Sequence, residues 1–218
     1  MTPLELAQIS ERAYHESTVV AGNVEVLIVY SDDALVIAPR GTEHDYADIL
    51  TDLRAVPWYD RTLGWCHKGF LRGIQSIWPK LYPHLYGADR PVWWTGHSLG
   101  GALAILGAAY MEADHRPPMT EPRTRHPPGT ERGVRPLPKP AGIMTFGAPR
   151  AGFAKVGRIL APVPVKTCYV RGRDIVPTVP HAWPIWGPRH IDWTEIGRPD
   201  HPFHDHRIAG YIEDVPRS

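Results

Sequence analysis

Hydrophobic positions fall along this chain in two rhythms. Residues 3–16 place apolar side chains at helical spacing and predict an amphipathic helix. Two apolar runs follow, VEVLIVY (24–30) and ALVIAP (34–39), parted by Ser31, Asp32 and Asp33, and they predict a hairpin. RGT (40–42) ends the second run in a glycine turn. Tyr46, Ile49, Leu50 and Leu53 then return at helical spacing among the polar Glu43, His44, Asp45, Asp48 and Asp52. Residues 55–64 hold Pro57 and Gly64 and read as a loop. A helical pattern over 69–86 is interrupted by Pro79 and Pro83, which predicts a kink or an early stop. PVWWT (91–95) is a short strand, apolar on both faces as a central strand would be. GHSLG (96–100) turns it into a helix of small residues, LGGALAILGAAYM.

Residues 114–140 break the pattern. They contain eight prolines, mixed charge and almost no large apolar residue, so burial cannot repay the entropy of ordering them. They read as a flexible, Pro-rich surface insertion within one domain spanning 1–218. AGIMTFGAP (141–149) and VPVKTCYV (163–170) resume the strands, RHIDWTEI (189–196) suits an edge strand, and FHDHRIAGYIE (203–213) suits a short helix. Strands alternating with helices after residue 65 predict an α/β fold: a central, mostly parallel sheet flanked by helices.

Composition narrows the function classes. Twenty-four Lys and Arg against 23 Asp and Glu leave a formal charge of +1, so a nucleic-acid partner, which calls for a basic excess, is not expected. Cys66 and Cys168 each lie in a strand-like run and are expected to be buried free thiols. The first residues lack a basic, then apolar, signal pattern, and no run approaches a membrane span. The expectation is a soluble protein without stable membrane insertion, cytoplasmic or released by a non-signal route.

The chemistry centres on Ser98. In G-H-S-L-G, preceded by an apolar strand and followed by a helix, the serine occupies the strained strand-to-helix turn that exposes a nucleophilic hydroxyl. Such a turn sets the Leu99 amide at a helix N-terminus, where it can face an oxyanion. RGT after an earlier strand stands where the second oxyanion donor would come from, with Thr42 offering an amide and a hydroxyl; an ordinary strand-ending turn is the alternative. An acid and then a histidine should follow the serine. Asp174, Asp192, Glu195, Asp200 and Asp205 are the acids available. Asp174 ends a strand, although a salt bridge to Arg171 or Arg173 would also account for it. His201, His204 and His206 follow it in HPFHDH, which lacks the spacing of known zinc motifs. His97 fills the variable slot of the turn, His67 and His84 suit packed positions, and His15, His115 and His126 suit exposed ones.

RGT (40–42), DILTDL (48–53), HKGF (67–70), GHSLGGALA (96–104), TFGAPRAG (145–152) and RGRDIVPTVP (171–180) stand together in an order that resembles the class 3, or fungal-type, lipases. The resemblance implies the α/β-hydrolase fold and a Ser98–Asp174–His206 triad. It implies an oxyanion hole from Thr42 and Leu99, and hydrolysis of a small ester or lipid substrate without metal or cofactor. His206 is preferred because D-H-R-I-A-G-Y is similar to the family's terminal segment. Ile208, Tyr211 and Ile212 can anchor that segment, with His190 next in line as base. The polar surround of the Tyr46–Leu53 stripe suits a cover over short to medium esters, with at most transient lipid-interface contact. Acyl transfer by the same triad, and a non-catalytic binding protein on this fold, are the alternatives.

Overall fold

The computed structural model describes residues 1–41, 56–116, 136–180 and 191–217. Thr42, the Tyr46–Leu53 stripe, His126, His190 and most of the Pro-rich segment lie outside them.

Helix α1 (Pro3–Arg12) opens on a capping box in which Thr2 and Glu5 bond each other's backbone amides. Three strands follow, β1 (Val19–Ala21), β2 (Val24–Tyr30) and β3 (Leu35–Pro39). The expected hairpin is the antiparallel β2–β3 pair. Strands β6 (Val92–His97), β7 (Pro140–Phe146), β8 (Val165–Arg171) and β9 (Asp192–Ile196) run parallel to β3, giving the order β1-β2-β3-β6-β7-β8-β9. Among the described residues β9 lies at one edge of this sheet, as its pattern predicted.

Alternation along the strands feeds two apolar layers. Leu35 and Ile37 of β3 join one cluster with α2 (Lys68–Tyr86) and α3 (Leu99–Glu112). Val36 and Ala38 join the other with α1 and Tyr211. β3 is therefore buried on both faces, the condition for a strand inside an α/β sheet. A short helix, α4 (Ala154–Leu160), joins β7 to β8 and was not evident from the sequence. Cys66 and Cys168 are buried free thiols. Burial, and then the charge of Asp60, pushes the Cys66 thiol up to about 12, which keeps it protonated and unreactive.

Four expectations need correction. Residues 55–64 are not a plain loop: β4 (Pro57–Asp60) and β5 (Gly64–His67) form a separate two-stranded hairpin. α2 neither stops nor breaks at its prolines. Pro79 and Pro83 are four residues apart and both exposed, so the carbonyls they deprive of donors face water, while Leu71, Ile74, Trp78, Leu81 and Leu85 hold the helix to the core. The Pro-rich stretch is anchored at its ends. His115 is half-buried rather than exposed, stacked on Tyr110 at 4.0 Å, and Leu137 is buried with its amide on Asp114. The C-terminal helix is two pieces, α5 (Pro202–Asp205) and α6 (Ile208–Asp214), broken at His206 and Arg207.

Candidate active site

The parallel strands end on one rim, and that rim gathers the candidate residues. β6 delivers Ser98 directly into α3. Ser98 takes φ 55 and ψ −127, a positive φ that side chains rarely adopt. Its amide donates to the Phe146 carbonyl at 2.9 Å, which ties the turn to β7. The flanking glycines make the turn possible: a Cβ on Gly96 would strike the Gly100 backbone, and one on Gly100 would strike the Pro39 carbonyl. Ser98 itself is only 1% exposed.

Asp174 stands three residues beyond the end of β8, and His206 occupies the break between α5 and α6. The three side chains form one line. Ser98 Oγ lies 3.0 Å from His206 Nε2, and His206 Nδ1 lies 2.8 Å from Asp174 Oδ2. A carboxylate only accepts, so Nδ1 carries the ring hydrogen and Nε2 is bare to accept the serine proton. The Val176 amide donates to Oδ1 of Asp174 at 2.9 Å, and the Tyr211 hydroxyl donates to Oδ2 at 2.6 Å. A buried carboxylate held by three donors is fixed in place. Such an arrangement can strip a proton from a hydroxyl and direct the oxygen at an electrophilic carbon.

The remaining candidates fall elsewhere. Asp192, Glu195 and Asp200 are exposed. Asp205 is buried but committed: it accepts from Arg171 at 3.0 Å, from the Arg173 amide at 2.7 Å and from the Asp200 amide at 3.1 Å. Arg171 thus pairs with Asp205, and with Asp214 at 2.6 Å, rather than with Asp174. His201 is exposed, and His204 is exposed with Asp200 3.4 Å away. Leu99 opens α3 as its first residue, so its amide has no acceptor within the helix. Thr42 lies outside the described residues, directly after Gly41.

The family described as Lipase (class 3) matches residues 36–183, which spans β3, the elbow and Asp174. This chain belongs to the class 3 lipase family. Solved lipases share its fold. Lipase II from Rhizopus niveus is 21% identical over 92% of this chain and 81% of that one, with a TM-score of 0.64. The triacylglyceride lipase of Rhizomucor miehei is 21% identical over 77% of this chain and 60% of that one, with a TM-score of 0.59. A triacylglycerol lipase whose catalytic centre is formed by a serine protease triad is 19% identical over 83% and 74%, with a TM-score of 0.63. The fold is that of the α/β hydrolases. The chain spans 60% of the length of the Rhizomucor miehei protein. No curated protein sequence matches it.

Two residues of the site are missed by the sequence reading. His97 looked like filler in a variable slot, yet it is buried and bonded at both ring nitrogens, to Tyr14 and to the His206 backbone. Burial, and then the neighbouring His206, holds its pKa well below the usual 6.5. Tyr211 was read as an apolar anchor, but its hydroxyl is a donor to Asp174. A polar group next to a buried turn must find a partner, and that rule was the signal available for His97.

Proposed function

We propose that this chain is a carboxylic-ester hydrolase working through Ser98, His206 and Asp174, with lipid or other small esters as substrates. The carrying observation is the unbroken line of hydrogen bonds from Ser98 Oγ through His206 to Asp174. Nε2 of His206 takes the Ser98 proton as Oγ adds to the ester carbonyl, forming a tetrahedral oxyanion. The Leu99 amide and a donor from Thr42 stabilise that charge. His206 returns the proton to the departing alcohol oxygen as the C–O bond breaks, leaving an acyl-Ser98. Water, deprotonated by His206, adds to the acyl carbonyl and expels Ser98 with release of the carboxylic acid. Asp174 orients the imidazole and stabilises its cation. Family membership supports ester hydrolysis, and the serine protease triad of one structural relative supports the three roles.

Transient contact with a lipid surface belongs to the same proposal. Trp58, Tyr59 and Trp65 on the β4–β5 hairpin are 47%, 54% and 50% exposed. Lys68 and Arg72 lie over the Trp58 ring, 5.0 and 5.7 Å from its centroid. Aromatic rings bearing cations suit a polar–apolar boundary.

A panel of p-nitrophenyl esters from acetate to palmitate, run with the parent chain and Ser98→Ala, tests the reading. The parent should turn over short to medium esters, and Ser98→Ala should lose about three to six orders of magnitude in turnover while staying folded. Undiminished turnover in Ser98→Ala would end it.

A further inference from the structure

Helix α1 and the turn that follows it are tied to the end of β6 by side-chain hydrogen bonds, among them one from Thr95 Oγ1 to the Leu6 carbonyl at 3.2 Å. Ser10 Oγ lies 2.9 Å from Thr95 Oγ1, and four residues later the Tyr14 hydroxyl lies 2.7 Å from His97 Nδ1. The Tyr14 link does not stop at β6. His97 Nε2 lies 2.6 Å from the carbonyl oxygen of His206. A carbonyl can only accept, so Nε2 carries the hydrogen of the neutral ring, and Nδ1 accepts from Tyr14. The direction of the chain is fixed: Tyr14 O–H to His97, then His97 N–H to the backbone of His206.

We propose that Tyr14 and His97 are positioning residues for the ester-cleaving reaction, clamping the backbone of the base so that its ring meets Ser98. The inference rests on the reading of His206 as that base. His206 sits between α5 and α6, its amide held by the Pro202 carbonyl at 3.2 Å and its carbonyl oxygen in reach of the His97 ring. The His97 N–H supplies a bond there, from a ring whose centroid is 4.8 Å from that of His206. A general base works within a tolerance of about 0.5 Å, and misplacement by about 1 Å costs roughly a hundredfold in rate. The same hydroxyl reaches the other side of the site. A Cβ on Gly41 would collide with Tyr14 Oη and crowd the His97 carbonyl, so Gly41 admits the tyrosine just before Thr42. One phenol therefore packs against the start of the oxyanion loop while its hydrogen bond runs to the base. The variable slot of the elbow is occupied by a residue able to donate and accept at once, which an apolar residue there could not do.

The test is kcat per functional site, counted by stoichiometric reaction with a fluorophosphonate, in Tyr14→Phe, His97→Gln, His97→Phe, the Tyr14→Phe/His97→Gln double variant and Ser10→Ala. Tyr14→Phe should lower kcat per titrated site about 2- to 12-fold, the range expected for one lost hydrogen bond, with KM within about twofold. The second-order rate of phosphonylation should fall in parallel. His97→Gln, whose amide can donate near the Nε2 position, should retain more activity than His97→Phe. The double variant should lose much less than the product of the two single losses, because both act through one chain. Ser10→Ala removes a tie between α1 and β6 that does not lead to His206 and should leave kcat per site unchanged. Unaltered kcat per site in Tyr14→Phe, or an equal loss in Ser10→Ala, would overturn the proposal and leave α1 as a packing element. If His97→Gln and His97→Phe fail to fold, Tyr14→Phe against Ser10→Ala decides by the same criterion. Ser98→Ala separates the two levels: full activity there refutes the nucleophile, whereas an inactive Ser98→Ala beside a normal Tyr14→Phe refutes the clamp alone.

Discussion

Tyr211 donates its hydroxyl hydrogen to Oδ2 of Asp174 at 2.6 Å, the same oxygen that receives Nδ1 of His206. Burial first, and then the Asp174 charge, pushes the phenol well above the usual 10, so it remains a donor throughout the working range of pH. The Arg171 amide donates to the phenol oxygen at 3.1 Å, so the hydroxyl links β8 to α6 as well as to the site. Tyr211→Phe should therefore cost stability of about 1.5–3 kcal/mol, the range for a hydrogen bond to a charged group. Asp174 keeps its bonds to Val176 and His206, so turnover should fall by less than about tenfold. Urea unfolding and kcat on one soluble ester measure both; an unchanged midpoint would contradict the first.

A second prediction concerns the approach to His206. Asp205 is fully buried against Arg171, whereas Asp214, the other partner of Arg171, is 29% exposed. Asp205→Ala should destabilise by about 2–4 kcal/mol, because it leaves two part-buried backbone amides without their acceptor and takes one of two carboxylates from the Arg171 guanidinium. Asp214→Ala should cost under about 1 kcal/mol, because Asp205 still holds the cation and water reaches the vacated end. Thermal or urea melts of the pair give the comparison, and equal losses would contradict it.

The third concerns pH. His97 is neutral in the folded chain, faced by Tyr14 from the turn after α1 and by His206 and Tyr211 from the C-terminal segment. Its folded pKa is depressed, so its contribution to stability is complete above about 6.5. Below that, the unfolded chain takes up a proton that the folded one refuses, and stability falls by at most about 1.4 kcal/mol per pH unit for this group. Burial also holds His115 below its usual value, which adds in the same direction. Unfolding free energies between pH 6.5 and 5 should fall less steeply in His97→Gln than in the parent. Parallel slopes would contradict the assignment.

The fourth concerns the β4–β5 hairpin. Replacing Trp58 and Trp65 together by serine should lower the rate on vesicle-borne or emulsified esters several-fold. Hydrolysis of p-nitrophenyl butyrate in solution should stay within about twofold, since both rings are half exposed and contribute less than a core residue. Equal effects on both substrates would show that the rings matter for folding or for the site, and not for a lipid surface.

What could be read from the sequence was local or ordered along the chain. The elbow is contiguous, so Ser98 and its helix were legible in GHSLG. Asp174 follows closely on a strand and His206 comes after it, so chain order brought both into view. The hairpin was hidden because Pro57 and Gly64 mark loops as readily as strand ends. α2 was obscured because the penalty of Pro79 and Pro83 depends on which face they occupy, and that is a property of packing. The Tyr14–His97–His206 chain joins positions 83 and 109 residues apart, and no periodicity announces such a contact. Asp205 was visible as a candidate acid, but its capture by Arg171 required the fold.

Ester hydrolysis through Ser98 requires an acyl group carried on its oxygen. Intact protein quenched in acid during turnover of a p-nitrophenyl ester, then digested and weighed by mass spectrometry, reads that step directly. The expected result is a mass increase equal to the acyl group on the peptide containing Ser98, absent from Ser98→Ala and persisting longer when His206 is replaced by alanine. An active enzyme that carries the acyl group on another residue, or the same turnover from Ser98→Ala, would contradict it.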